Sequence, residues 1–202
     1  MGVGSLTTRR AVFFDRDGVL NRPVLRGNRP HPPASLAELE ILPEAHEATH
    51  RLADAGFALL VVTNQPDVAR GTQRRDVVEA IHAALAAALP LDGFFVCYHD
   101  DAAACDCRKP RPGLFFEAAR AHGVDLSTSF SIGDRWRDVD AANGAGVRSV
   151  FVDYGYDERA PDAAPDAVVT GISAAARWIL GAPPSLEAGQ SSVAPTTGGP
   201  RS

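Results

Sequence analysis

The sequence predicts a single α/β domain built on a doubly wound parallel sheet. Three observations carry that expectation. Short, nearly all-apolar runs of strand length alternate with stretches whose apolar residues recur at helical spacing. Such alternation implies parallel strands with helices covering both faces. Several apolar runs also end abruptly in polar residues, as expected where strands open onto a binding crevice at their carboxyl ends.

The first strand is Ala11–Phe14, closed by Asp15, Asp17 and Gly18. Two carboxylates one residue apart at a strand end can address one site. A nearby cation would have to relieve their repulsion. Taken alone, the pair is equally consistent with two solvated acids in a surface turn. Residues 22–35 are rich in proline, arginine and glycine and have no periodicity, so they are expected to form an ordered loop over the site. There Arg26, Arg29 and His31 could meet an anion or simply be solvated.

Residues 43–56 carry a helix pattern, with Pro43 suited to the first turn, Gly56 to the stop, and Ala45, Ala48, Leu52 and Ala55 on one face. Residues 57–62 form a second strand, delivering Thr63, Asn64 and Gln65 to its end. A helix over 73–89 follows, with Val77, Val78, Ile81, Leu85 and Ala88 as its buried stripe; His82 on it is expected to pack rather than bind a metal. Residues 94–96 make a third strand leading into a Cys/His segment. Residues 112–122 make a helix stopped by Gly123. A fourth strand at 129–132 ends in Gly133 and Asp134, and a short helix over 138–145 follows. Arg148–Val152 and Ala167–Val169 are the last strands, and residues 172–180 the final helix. The expected division is a flexible segment at 1–9, one domain at 10–182, and a disordered Gly/Ser/Pro/Thr-rich tail at 183–202.

A chain of 202 residues suits one core. Its net charge of −5 gives no general attraction to nucleic acid or anionic membrane. No apolar stretch is long enough to span a bilayer, and the first ten residues lack the apolar core of a secretory signal, so a cytoplasmic location is expected. The sequence carries no sign of an oligomer, and a monomer is the working expectation.

All three cysteines lie between Cys97 and Cys107. An odd, clustered set is no disulfide framework. Cys97, His99, Cys105 and Cys107 offer three thiols and an imidazole, a complete tetrahedral shell for a structural Zn²⁺. The alternative is buried thiols that never meet a metal. Zinc here would stiffen the loop that carries Arg108 and Lys109 to the sheet edge.

The scattered set Asp15, Asp17, Thr63, Asn64, Lys109 and Asp134 sits in four stretches: Asp-Arg-Asp-Gly-Val-Leu-Asn, Thr-Asn-Gln, Cys-Arg-Lys-Pro and Ile-Gly-Asp-Arg-Trp-Arg-Asp. In order and context these resemble the four motifs of the haloacid dehalogenase-like phosphohydrolases, over roughly residues 10–155. With the Cys/His segment, the chain resembles the zinc-containing branch that holds the D-glycero-D-manno-heptose 1,7-bisphosphate phosphatases and the histidinol-phosphate phosphatases. The resemblance implies a Rossmann-type domain, here without a large cap. It implies Asp15 as nucleophile, forming an aspartyl-phosphate, and Asp17 as general acid and base. Catalytic Mg²⁺ would be held by Asp15, the Asp17 main-chain carbonyl and Asp134. Thr63 and Lys109 would hold the phosphoryl oxygens, and Asn64 would position the substrate. Asp138 is open between orienting a metal-bound water and being an exposed helix-start acid.

The substrate expected is a small phosphorylated metabolite. The stretch 63–71 looks like the heptose type, whereas the short Cys/His spacing and Arg135 look like the histidinol type. Arg26, Arg29, Arg108 and Arg111 tip the choice toward a doubly phosphorylated sugar by charge complementarity. A histidinol-phosphate phosphatase, another small sugar-phosphate phosphatase, or an inactive zinc-stabilised binding module are the alternatives.

Overall fold

The computed structural model describes residues 9–26 and 29–181. The tail expected at 183–202 and nearly all of the segment expected to be flexible at 1–9 lie outside the described residues.

Six parallel strands form the central sheet: β1 (Ala11–Phe14), β4 (Ala58–Asn64), β5 (Gly93–Cys97), β6 (Phe130–Gly133), β7 (Arg148–Val152) and β8 (Ala167–Val169), in the order β5-β4-β1-β6-β7-β8. β1 lies in the middle, with β4 on one side and β6 on the other. The chain winds outward from β1 through β4 to β5, then returns to β6 and winds the other way. The crevice of a doubly wound sheet opens at such a reversal. Asp15, Thr63, Asn64 and Asp134 are therefore brought to neighbouring strand ends by topology.

The central strands β1, β4 and β6 are buried on both faces, which is why they read as unbroken apolar runs. Alternation still divides them. Val12 and Phe14 join Leu59 and Val61 beneath α1 (Pro43–Asp54), α2 (Arg75–Ala88) and α5 (Ile172–Gly181). Ala11 and Phe13 join Ala58, Leu60 and Val62 beneath α3 (Gly113–His122) and α4 (Trp136–Gly144). Phe13 meets Phe115 edge-on, with ring centroids 4.9 Å apart. Continuing the same alternation, Asp15 faces the side of α3 and α4. Lys109, just before α3, and Asp138, in α4, come to it from there.

Beyond shifts of one or two residues at element ends, the structure differs from the sequence expectation in a hairpin and in the start of α4. Residues 22–35 are not wholly irregular: β2 (Val24–Arg26) and β3 (Arg29–His31) form a small antiparallel hairpin. Each strand is three residues long, too short to show a period of two, and Pro30 disguises β3. Helix α4 also starts at Trp136 rather than 138, because Asp138 caps it from inside: its Oδ2 accepts from the Arg135 backbone N–H at 3.0 Å. His82 packs as expected, buried and stacked on Phe94 at 4.8 Å.

Candidate active site

Lys109 is the cation at the centre. Its side chain is almost wholly buried, and Nζ lies 2.9 Å from Asp15 Oδ1, 2.6 Å from Asp138 Oδ1 and 2.7 Å from the Val62 carbonyl oxygen. Burial alone would lower its pKa, but the charges of Asp138 and Asp15 outweigh burial and keep the ammonium protonated. The lysine reaches this depth because its backbone is fastened to β4. Asn64 Nδ2 donates to the Lys109 carbonyl at 3.0 Å, and the Lys109 N–H donates to Asn64 Oδ1 at 3.1 Å.

Asp15, Asp134 and Asp138 each offer an oxygen, all within 4.8 Å of one another. One lysine does not balance three carboxylates. Burial, then the Asp15 and Asp138 charges, push the Asp134 pKa well up. Burial and the neighbouring acids also raise that of Asp15, against the pull of Lys109. Tyr156 offers Asp134 partial compensation, yet neither carboxylate oxygen of this buried side chain makes a hydrogen bond of ordinary geometry. Buried carboxylate oxygens left this way fit a hard divalent cation. Two glycines make the crowding possible. A Cβ on Gly18, already at φ +91°, would overlap Asp134 Oδ2, and one on Gly133 would overlap Asp138.

Asp17 lines the same pocket but stands outside this trio of carboxylates. Arg16, fully buried, grips it with two bonds, Nη2 to Oδ2 at 2.7 Å and Nε to Oδ1 at 3.1 Å. Asn21 Nδ2 donates to Oδ1 at 2.9 Å and Gln65 Nε2 to Oδ2 at 3.1 Å. Burial would raise the Asp17 pKa; Arg16, with help from Asn21 and Gln65, lowers it below the usual range instead. Arg16 is braced from behind by His82 Nε2 at 3.2 Å. Burial and the Arg16 charge hold His82 neutral, with a pKa lowered to about 4. Gln65 also donates to Thr63 Oγ1 at 3.1 Å.

The Cys/His segment closes on itself. Cys97 Sγ lies 3.7 Å from both His99 Nδ1 and Cys105 Sγ, and Cys107 Sγ lies 3.3 Å from His99 Nδ1 and from Cys105 Sγ. A tetrahedral zinc with ordinary bond lengths would put its ligands roughly 3.3–3.8 Å apart, so the four donors fit that ion. Burial pushes the Cys97 thiol up, while hydrogen bonds from Cys107 and from the Arg108 backbone outweigh burial at Cys105 and lower it to about 7. The loop delivers Arg108, whose Nε donates to Asp101 Oδ1 at 2.8 Å. Arg111, expected to meet substrate, instead donates to the Cys105 carbonyl and braces the loop.

A pocket of about 340 Å³ opens over this chemistry, with Asp15, Thr63, Lys109 and Asp138 at its base. Pro30, His31 and Pro32 from the hairpin overhang it, and Arg70, Arg108, Arg135 and Arg137 line its flanks. The side chains of Arg26 and Arg29 lie outside the described residues.

Comparison with known proteins agrees with this geometry. A family profile described as HAD-hydrolase-like matches residues 106–175. The D-glycero-D-manno-heptose-1,7-bisphosphate 7-phosphatase of Thermosynechococcus vestitus is 33% identical, over 85% of this chain and 95% of its own length. The chain belongs to the haloacid dehalogenase-like phosphatases. A second relative, the D-glycero-beta-D-manno-heptose-1,7-bisphosphate 7-phosphatase of Pseudomonas aeruginosa, is 35% identical over 73% of this chain and 83% of its own. Among solved structures, the D,D-heptose 1,7-bisphosphate phosphatase from B. bronchiseptica, complexed with magnesium and phosphate, superposes with a TM-score of 0.68. It is 30% identical over 85% of this chain and 98% of that one.

The structure gathers most of the residues the sequence singles out, and adds supports that the sequence reading does not name. Asp15, Thr63, Asn64, Lys109 and Asp134 come together, as do the four Cys/His ligands. The open question over Asp138 closes in favour of the site: it is buried and paired to Lys109. Asn64 faces the pocket, but both ends of its amide are committed to the Lys109 backbone. Arg16, Asn21 and Gln65 were not singled out for any role at Asp17. Arg16 lies between the two aspartates, and a buried arginine there has only a carboxylate-rich neighbourhood to pair with, a signal the sequence did contain.

Proposed function

We propose that the protein is a Mg²⁺-dependent phosphomonoesterase that removes the C7 phosphate from D-glycero-D-manno-heptose 1,7-bisphosphate through an aspartyl-phosphate on Asp15. The observation that carries this reading is the buried trio Asp15, Asp134 and Asp138 set around Lys109 beneath a cation-flanked pocket. The names of its relatives supply the substrate.

In the first step Asp15 attacks phosphorus, the bond to the leaving oxygen breaks, and Asp17 gives that oxygen a proton. In the second, Asp17 takes a proton from water, the water oxygen attacks phosphorus, and inorganic phosphate leaves with Asp15 restored. Lys109 and Thr63 hold the phosphoryl oxygens, where charge spreads as the bond breaks. Asp15, Asp134 and the Asp17 main-chain carbonyl would hold a Mg²⁺, which would supply the remaining positive charge. Asp138 anchors Lys109 and, with a metal bound beside it, would orient a water on that ion. The grip of Arg16 keeps Asp17 ionised and poised as a base; an arriving phosphate dianion opposes that ionisation and prepares it to act as an acid. Zinc on Cys97, His99, Cys105 and Cys107 would have no open position for chemistry and would serve to hold Arg108 and Lys109 in place.

The test is phosphate release from three substrates: the heptose bisphosphate, histidinol phosphate and a simple sugar monophosphate. The heptose bisphosphate is expected to give the highest kcat/KM; a preference for histidinol phosphate would overturn the substrate assignment.

Two metal predictions accompany the proposal. Because the raised pKa of Asp134 means its proton is bound more tightly in the folded than in the unfolded chain, the metal-free fold loses stability as pH rises from the ordinary carboxylate range through that pKa. A divalent ion binds the ionised form, so the rise in Tm on adding Mg²⁺ should be larger above the raised pKa of Asp134 than in the ordinary carboxylate range. An increment independent of pH would place the ion elsewhere. Elemental analysis should find about one zinc per chain, and stripping it with a strong chelator should lower Tm and activity together. A zinc-free preparation of equal stability would reject the structural role.

A further inference from the structure

Arg137 carries the one guanidinium on the pocket flanks that forms no ion pair with a carboxylate among the described residues. The other three are engaged: Arg135 with Glu158, Arg108 with Asp101, and Arg70 with Asp67 and Asp101. Arg137 Nε is buried and has no hydrogen-bond partner. Its guanidinium lies over the Trp136 ring, 5.0 Å from the centroid, which fixes its plane but satisfies none of its in-plane donors. The carboxylates nearest in effect, Asp138 and Asp101, are already held by Lys109 and by Arg108 and Arg70. Burial, followed by the Arg135 and Arg108 charges, presses the Arg137 pKa down. A cation so placed lacks an anion that the protein itself does not supply.

The helix fixes where that anion would sit. Asp138 turns to Lys109 and the reacting end of the pocket. Its neighbour Arg137 is displaced by about 100° around α4, since adjacent helical residues do not face the same way. Arg137 therefore serves the flank, beside Arg108, and not the position occupied by the transferring phosphoryl group.

We propose that Arg137 binds the second, non-reacting phosphate of the substrate and so makes the enzyme selective for a bisphosphate over a monophosphate. This rests on the phosphatase reading above and adds a specificity-determining residue to it. A phosphate dianion would take the terminal nitrogens of Arg137 in the bidentate manner that suits guanidinium.

The experiment measures kcat/KM of wild type, Arg137→Gln and Arg137→Lys on two substrates, heptose 1,7-bisphosphate and heptose 7-phosphate. They differ only in the phosphate that is not cleaved. In wild type the bisphosphate should be favoured. In Arg137→Gln that preference should fall by about 10- to 100-fold, mostly through KM, as expected for a lost charge-assisted contact. Arg137→Lys should restore part of it, keeping the charge but not the fork. Thermal melts should show Arg137→Gln at least as stable as wild type, because it removes a buried charge without a partner; a residue held for structure would melt lower. If wild type prefers the bisphosphate and Arg137→Gln prefers it equally, the assignment of Arg137 is wrong and the substrate reading stands. If wild type itself shows no preference, the bisphosphate reading falls, and the second-phosphate site with it.

Discussion

Asp15→Asn is expected to abolish phosphate release, by a factor on the order of 10⁴ or more, while leaving the fold intact. An amide of the same shape keeps the packing at the end of β1 but cannot attack phosphorus. It also removes one charge from a cluster in which burial and the neighbouring acids already oppose ionisation of Asp15. The metal-free variant should consequently melt no lower than wild type, apart from the contact Lys109 loses at 2.9 Å. Turnover and melting curves on one preparation separate the outcomes. Undiminished turnover would remove Asp15 from the chemistry, and a collapsed fold would show that its charge is structural.

Lys109→Met should damage both properties at once. The substitution leaves Asp15 and Asp138 buried without their shared cation. Breaking a buried ion pair from one side costs about 3–5 kcal/mol. Loss of a cation aimed at the transferring group lowers kcat by about 100- to 1,000-fold. The sign of the pH dependence is fixed by the shifts. Lys109 has a raised pKa, so its favourable charge is fully present below its unfolded pKa and fades only as pH climbs through the higher folded value. Over the acid and neutral range its own contribution is constant. What varies is the stranded charge at Asp15, which burial and the neighbouring acids already push toward its protonated form. The stability gap between Lys109→Met and wild type should therefore narrow as pH falls, and Mg²⁺ should recover part of it at neutral pH. Urea unfolding at several pH values measures the gap. A gap independent of pH would mean that lost packing, rather than stranded charge, is the cause.

The parts of the site legible in the sequence were those whose chemistry depends on residue type beside a local signal. Asp15 and Asp17 follow an apolar run and precede a glycine; Thr63 and Asn64 close another run; the cysteines cluster within eleven positions. Each is a short-range pattern. Asp138 was ambiguous because the first turn of a helix favours an acid on the surface as readily as in a site. Only the approach of Lys109, twenty-nine positions earlier, shows which applies. The roles of Gln65, Asn21 and His82 were hidden for the same reason. Gln65 and His82 meet partners on other elements, Asn21 meets Asp17 only because the loop folds back, and nothing in a neutral polar residue reveals which charge it holds.

By itself the sequence determined the α/β class, the succession of the main strands and helices along the chain, the acidic, basic and thiol groups that carry chemistry, and a strong family resemblance. Those follow from periodicity and composition along neighbouring residues. Tertiary structure alone decided that β1 lies between β4 and β6, that one buried lysine is shared by two carboxylates, that Asp17 is turned onto Arg16, and that Arg137 is left without a counter-charge. The physical reason is that burial and pairing are properties of the space between elements. A side chain's charge state and hydrogen-bond partners are set by whatever the fold packs against it, however far away along the chain.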